Sequence, residues 1–331
     1  MQKKLRVGVL TGGGDSSGIN AFLRALYLAV SKRGGEVVGI RNGWAGLVEL
    51  NTMPIDAQTV DSVTLKPGTM LGTSRTNLVK TGQVELAIEN MERAGLTHMV
   101  VVGGDDTLGV AGHLAKASNV PMIGVPQTID NDIPGTDLSL GFATAVQRGV
   151  EALAGVVPSN RGHGNPMLVE VMGRQAGWLS LYIAIGAEAD FLAVPEADWS
   201  IDELVHVYNS ADRAILAIIS EGVQTDELRV EHTRVDAFGN PALEGVVHQV
   251  ADLFAQRTGK TPRVQVLGYL IRGGTPVVQD LELAWRFAEG VVKGIEDGVN
   301  GKMVAWRNGT IDYVPLEEIV GRRRTVPLEL L

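Results

Sequence analysis

Short apolar runs of strand length recur along this chain, several of them apolar on both faces, and this pattern limits the possible folds most strongly. They occupy residues 5–10, 98–102, 121–125, 167–172, 191–195, 214–219 and 264–270. A strand that is apolar on both faces belongs in a parallel sheet covered by helices on either side. Between the runs lie stretches with helical spacing, such as 19–30, 84–94 and 281–295. The βαβα alternation predicts an α/β fold class of doubly wound, largely parallel layers, with sites at the carboxyl ends of strands. The glycine clusters fall at those ends. Residues 236–241 read as a turn rather than a boundary.

At 331 residues the chain has room for two domains and a sizeable core. Lys and Arg number 29 against 38 Asp and Glu, a net charge of −9, and the first basic block is Arg322-Arg323-Arg324. This balance argues against a nucleic-acid or anionic-membrane partner, so small anions need local cationic pockets. The absence of cysteine excludes disulfides, thiolate metal sites and Cys nucleophiles, and fits a reducing compartment. No apolar leader follows the first lysines and no run of about 18 uncharged apolar residues occurs, so a cytoplasmic location is expected. Glycine is abundant, at 41 residues, yet 45% apolar content excludes disorder.

Four clusters carry chemistry. Thr11-Gly-Gly-Gly14-Asp15-Ser-Ser-Gly18-Ile-Asn20 links a strand to a helix, where backbone N–H groups and the helix start favour an anion; a tight strand-to-helix turn is the alternative. Gly103-Gly104-Asp105-Asp106-Thr107 sets two carboxylates at a strand end, fit to share a cation such as Mg²⁺ or simply to cap a helix. In Gln127-Thr128-Ile129-Asp130-Asn131-Asp132 the carboxylates are spaced i, i+2. An extended segment would turn both to one side, one to take a hydroxyl proton and the other to position it. Glu170-Val171-Met172-Gly173-Arg174 delivers an Arg to the same edge, as a phosphoryl ligand or a surface ion pair.

Together these motifs resemble the phosphofructokinase family: Gly-Gly-Asp-x-x-Gly-x-Asn at 13–20, Gly-Gly-Asp at 103–105, Thr-Ile-Asp-Asn-Asp at 128–132, Met-Gly-Arg at 172–174 and Arg-Gly-Gly at 272–274, in the family's order. Arg41 to Trp44, Ser74 to Asn77 and Glu221-Gly222 strengthen the match. The resemblance implies two Rossmann-like domains, the larger of residues 1–141 plus about 271–315 and the smaller of about 142–270 plus 316–331. It implies Mg²⁺-dependent transfer of a phosphoryl group to the 1-hydroxyl of fructose 6-phosphate, in a homodimer or homotetramer with shared active sites. Asp130 would be the general base, with Asp132 and Thr128 beside it. Arg174 and Arg75 would face the transferred group, and Asp105 would hold Mg²⁺. Gly14, Asp106, Thr107 and Gln127 would line the donor site. Thr128, Met172, Gly173, Glu221 and Arg272 would touch the sugar, and Arg263 would serve its distal phosphate from a neighbouring subunit.

Four positions depart from the family pattern. Family members that use ATP usually have glycine where Asp106 stands, so a carboxylate there points to pyrophosphate, which has no nucleoside-bearing α-phosphate to fit. Pyrophosphate users normally carry Lys before Thr-Ile-Asp, whereas this chain has the uncharged donor Gln127. An Arg usually precedes Met172 by seven residues, and here it is Asn165; Arg161 stands nearby, and Tyr269 occupies a position that is often His. Asn165 leaves one alternative, a kinase of the same fold for a different or less charged sugar; another is a catalytically silent regulatory or binding subunit, since related folds can keep a site without turnover.

Overall fold

The computed structural model describes residues 4–225, 227, 228 and 245–331. The expected turn at 236–241 lies outside the described residues. The first strands are β1 (Arg6–Thr11), β2 (Glu36–Ile40), β3 (Thr52–Ile55), β4 (His98–Gly103) and β5 (Met122–Pro126). They are followed by β6 (Met167–Val171), β7 (Phe191–Ala193), β8 (Leu216–Ser220) and β9 (Arg263–Val266), then by β10 (Lys302–Arg307) and β11 (Thr310–Pro315). One sheet runs β11-β10-β5-β4-β1-β2-β3 and the other β7-β8-β6-β9. All neighbours are parallel except the edge pairs β2/β3 and β10/β11. The fold is therefore α/β with largely parallel sheets, as the apolar runs require.

Each expected run yields a strand; the 191–195 and 214–219 runs lose two residues at one end, and the 264–270 run is cut further for a physical reason. The 264–270 run stops at Val266 because Gly268 adopts φ +45 and the chain tightens into a 3₁₀ turn over Gly268–Arg272. Strands β2, β3, β10 and β11 were not anticipated. Their charged or exposed ends and, in β3, an internal proline break the continuous apolar pattern.

The helices Ile19–Lys32 and Val278–Glu296 cover one face of the larger sheet, burying Phe22, Leu26, Phe287 and Val291 against Val7, Val9 and Val100. Its other face meets Asp105–Ala117 and Val84–Arg93 through Leu108, Leu114 and Met91. The smaller sheet has its own layers, with Leu153, Leu179 and Ile183 on one side and Leu204, Val250 and Phe254 on the other. Truncating a fully buried ring such as Phe287 to Ala costs about 3–5 kcal/mol by lost transfer energy and cavity formation.

Asp280 ties the layers together. Buried on the helix Val278–Glu296, it accepts the Gly141 and Thr144 N–H groups at 2.8 Å and so satisfies the start of the helix Phe142–Gly162. Burial raises its pKa, opposed by these hydrogen bonds. Leu316 and Ile319 pack with Leu108 and Met303 in the larger core, and Val326 lies in the smaller one. The 3₁₀ turn Leu316–Glu318 follows β11 directly and has no slack to leave its sheet. We propose that the chain's late return falls between 320 and 326, with the remaining domain limits as expected.

Candidate active site

Both sheets present their strand ends to one cleft, lined by Gly13, Gly14, Arg75, Gly104, Asp105, Asp106, Thr107, Gln127, Thr128, Asp130, Asp132, Arg174 and Arg272. A wider groove of about 960 Å³ opens at the opposite end of the larger sheet among Lys4, Arg33, Glu92 and His98. The chemistry-bearing side chains converge instead on the smaller cleft.

The loop after β1 is shaped by close neighbours. A Cβ on Gly12 would lie 2.7 Å from Thr107 Cγ2, and one on Gly14 would lie 2.8 Å from Arg272 Nη1. Thr107 is 1% exposed, so its side chain chiefly packs under this loop. Arg272 Nη1 donates to the Asp15 carbonyl at 3.3 Å, placing the guanidinium beside the glycine loop. The Gly13 N–H donates to the Ser74 carbonyl at 3.2 Å, which brings the segment bearing Arg75 to the same place.

Gln127 continues from β5, 2% exposed, and its Nε2 donates to the Gly14 carbonyl and to Ser16 Oγ, both at 3.0 Å. Its donor capacity is therefore spent on the loop, while Gln127 Oε1 is buried with no hydrogen-bond partner.

The acidic segment is bent, correcting the expectation of an extended one. Asn131 adopts φ +52; its Oδ1 accepts the Ser139 N–H at 2.9 Å, its Nδ2 donates to the Asp137 carbonyl at 3.2 Å, and Ser139 Oγ donates to the Thr128 carbonyl at 2.7 Å. A left-handed Asn held by its own side chain reverses the chain and still leaves both carboxylates on the cleft. Asp130 Oδ1 is buried without a partner. Burial raises the Asp132 pKa to about 7, reinforced by Asp130 and Asp105 and opposed by Arg323 and Arg174. Asp-Asn-Asp also reads as a turn in the sequence, which fits Asn131, whereas Ser139 carries no sequence signal.

Arg174 also has a left-handed backbone, φ +51, and Gly173 has φ +149, with Ala176 O only 2.5 Å from where a Cβ would stand. Glu221 Oε1, at the end of β8, accepts the N–H groups of Gly173 at 3.1 Å and Arg174 at 2.8 Å. Burial raises the Glu221 pKa to about 7, and the Arg174 hydrogen bond opposes it. Glu221 and Gly173 thus act on the Arg174 backbone from behind the cleft, and Met172 packs against the smaller core.

Three expected sugar contacts lie elsewhere. Tyr269 is 80% exposed on the 3₁₀ turn and does not line the cleft. Asn165 and Arg263 flank the starts of β6 and β9, where the Arg263 N–H donates to the Pro166 carbonyl at 2.8 Å. The cleft is at the other end of these strands, roughly 20 Å away at ~3.3 Å per residue. Arg161 sits by Asn165 at the same edge, with Nη2 3.9 Å from Asp190 and with Nε and Nη2 buried without hydrogen bonds.

The residues fit a hard cation bound together with phosphate. Asp105 offers carboxylate oxygen at the cleft, and the described residues contain no group of three His, Asp or Glu that would cage a metal alone. That is the donor set Mg²⁺ uses when substrate phosphates complete its shell.

Glycine loop, carboxylates and arginines at the strand ends of a doubly wound sheet define an α/β protein built to handle phosphate groups. The chain matches the phosphofructokinase family over residues 6–295 and belongs to that family. It is 38% identical to the pyrophosphate–fructose 6-phosphate 1-phosphotransferase of Streptomyces coelicolor, over 97% of this chain and 96% of that one. It is 36% identical to ATP-dependent 6-phosphofructokinase 3 of the same organism, over 98% and 97%. The crystal structure of the pyrophosphate-dependent phosphofructokinase from Marinobacter aquaeolei shares the fold, with a TM-score of 0.84, 20% identity and coverage of 98% of this chain and 86% of that one.

Proposed function

We propose that this protein is a Mg²⁺-dependent phosphotransferase that moves a phosphoryl group from pyrophosphate to the 1-hydroxyl of fructose 6-phosphate. The observation that carries the reading is the meeting of Asp130, Asp132, Arg75, Arg174, Asp105 and Asp106 in one cleft. Relatives of similar identity carry the names of pyrophosphate and ATP enzymes, so the donor rests on the site.

Asp130 Oδ1, buried and unpartnered, accepts the proton of the 1-hydroxyl as its oxygen bonds to phosphorus. The bond from phosphorus to the bridging oxygen breaks, and phosphate departs with that electron pair. Arg174 and Arg75 stabilise the phosphoryl oxygens, and the Gly13–Gly14 backbone receives the donor. Asp132 keeps the turn and the base in register. Asp105 would hold Mg²⁺, which would neutralise donor charge. Asp106 presents negative charge where a nucleotide would extend, which favours pyrophosphate.

Asn165 and Arg263 lie too far from their own chain's cleft to meet its sugar, so the reading includes an assembly of two or four copies in which each edge completes a neighbour's site. Among the described residues no helix is long and apolar enough to cross a membrane, and we place the enzyme in the cytoplasm. A second reading, a kinase for a sugar with a less charged distal group, rests on the neutral Asn165. Assays pairing ATP or pyrophosphate with free and phosphorylated ketoses test both: turnover of pyrophosphate with fructose 6-phosphate is expected, and turnover only with another pair overturns the first reading.

A further inference from the structure

The basic block of the chain enters the chemistry above only through the charge of Arg323 near Asp132, yet it packs directly against the backbone of the acidic turn. The Arg324 N–H donates to the Asp132 carbonyl at 2.7 Å and Arg324 Nη1 to the Asn131 carbonyl at 3.1 Å. On the other side, Trp178 Nε1 donates to the Arg324 carbonyl at 2.9 Å, and the guanidinium stacks 4.0 Å from the centre of the Trp178 ring. Arg323 Nη1 donates to Gln175 Oε1 at 2.8 Å, next to Arg174. Val326, 2% exposed, closes the segment: its N–H donates at 2.9 Å to Glu196 Oε1, which also accepts the Gly177 N–H.

We propose that residues 323–326 form a clasp that fixes the turn bearing Asp130 and Asp132 against the turn bearing Arg174, which makes Arg324 a positioning residue of the cleft. The two turns issue from different sheets, so their separation is not set by either sheet's hydrogen bonding. The segment bonds to both: the Arg324 guanidinium and N–H hold the carbonyls of Asn131 and Asp132, its carbonyl and π contact hold Trp178 at the start of the helix that follows Arg174, and Arg323 holds Gln175 in the Arg174 turn. Asn131 and Arg174 both have left-handed backbones, a conformation that persists only where surroundings over-determine it. In-line transfer depends on the placement of base and arginine, and an error of about 1 Å can cost 10²-fold in rate. Arg323 adds a charge that favours ionised Asp132, against Asp130 and Asp105. A tail anchor that only stabilises the fold would not discriminate among kinetic constants.

This inference rests on the proposed function for its kinetic arm alone. Arg324→Ala, compared with Arg324→Lys and wild type, is expected to lower kcat roughly 10–100-fold while the donor KM stays within about threefold, with partial recovery in the Lys variant. Hydrogen exchange should accelerate at residues 129–133 and stay unchanged in β1 and β5. Unchanged kcat with unchanged exchange at 129–133 overturns the clasp, as does a general loss of protection with normal kcat. Should Arg324→Ala fail to fold, Arg324→Gln, which keeps a donor for Asn131 without the cation, is read in the same way. Should wild type turn over no donor and acceptor pair, the proposed function fails while exchange at 129–133 still decides the clasp.

Discussion

Glu221 Oε1 accepts the backbone N–H of Arg174 at 2.8 Å, and through this bond one strand end of the smaller sheet sets the conformation of an arginine delivered by its neighbour. Gly222 belongs to the same arrangement, since a Cβ there would stand 1.7 Å from the Arg174 carbonyl oxygen. Glu221→Ala leaves two N–H groups without their acceptor and is expected to cost about 1–3 kcal/mol of stability for the unsatisfied donors. Turnover should fall by roughly tenfold or more, because the arginine loses its aim. Glu221→Gln keeps an acceptor and should retain most of both. Denaturant unfolding and steady-state kinetics measure the two effects, and equal behaviour of the Ala and Gln variants would remove this role.

Asp130→Ser should lower turnover by roughly 10²–10⁴, the usual contribution of a general base, with donor affinity nearly unchanged. Near wild-type turnover would take Asp130 out of the proton transfer.

The acidic cleft should make stability fall as pH rises. The folded pKa of Asp132, about 7, lies above the ordinary carboxylate value, so between about pH 4 and 7 the native state binds more protons than the unfolded chain. The stability this contributes is present below the unfolded value and lost as pH rises through 7. Asp132→Asn should therefore gain stability relative to wild type at pH 8.5 and little at pH 4, read from urea midpoints. A stability difference independent of pH would contradict the assignment.

Donor choice is expected to follow Asp106 and Gln127. Asp106→Gly should raise ATP use relative to pyrophosphate. Gln127→Gly, which frees Gly14 and Ser16 from their hydrogen bonds, should weaken both donors unless combined with it. Wild-type turnover with ATP and none with pyrophosphate would refute the charge argument at Asp106.

Asn165→Arg should tighten fructose 6-phosphate by roughly 10–150-fold if it restores one charge-assisted contact of about 1.5–3 kcal/mol. Arg263→Ala should weaken it. Because both residues stand at the far edge, either effect should vanish on dilution to monomers, which paired sedimentation and sugar-binding titrations can check. Low-micromolar binding by wild type, unaffected by Arg161→Ala, would instead show that Asn165 needs no substitute.

Continuous apolar runs and the glycines behind them were enough to specify parallel strands and a cleft at their carboxyl ends, because burial on both faces and a tight strand-to-helix turn are local demands on residue type. The motifs at 11–20, 103–107, 127–132 and 172–174 were legible for the same reason. What tertiary structure alone decided is which of these groups meet. Gln127 spends its amide on Gly14 and Ser16, Glu221 faces a backbone rather than the cleft, and Arg272 turns toward the glycine loop. Asn165 and Met172 are close in sequence but lie at opposite ends of β6, whereas Arg324 and Asp132 lie far apart in sequence and share a hydrogen bond. Spacing along a strand fixes distance within one element, but contacts between two sheets depend on how their layers pack, and no local pattern encodes that.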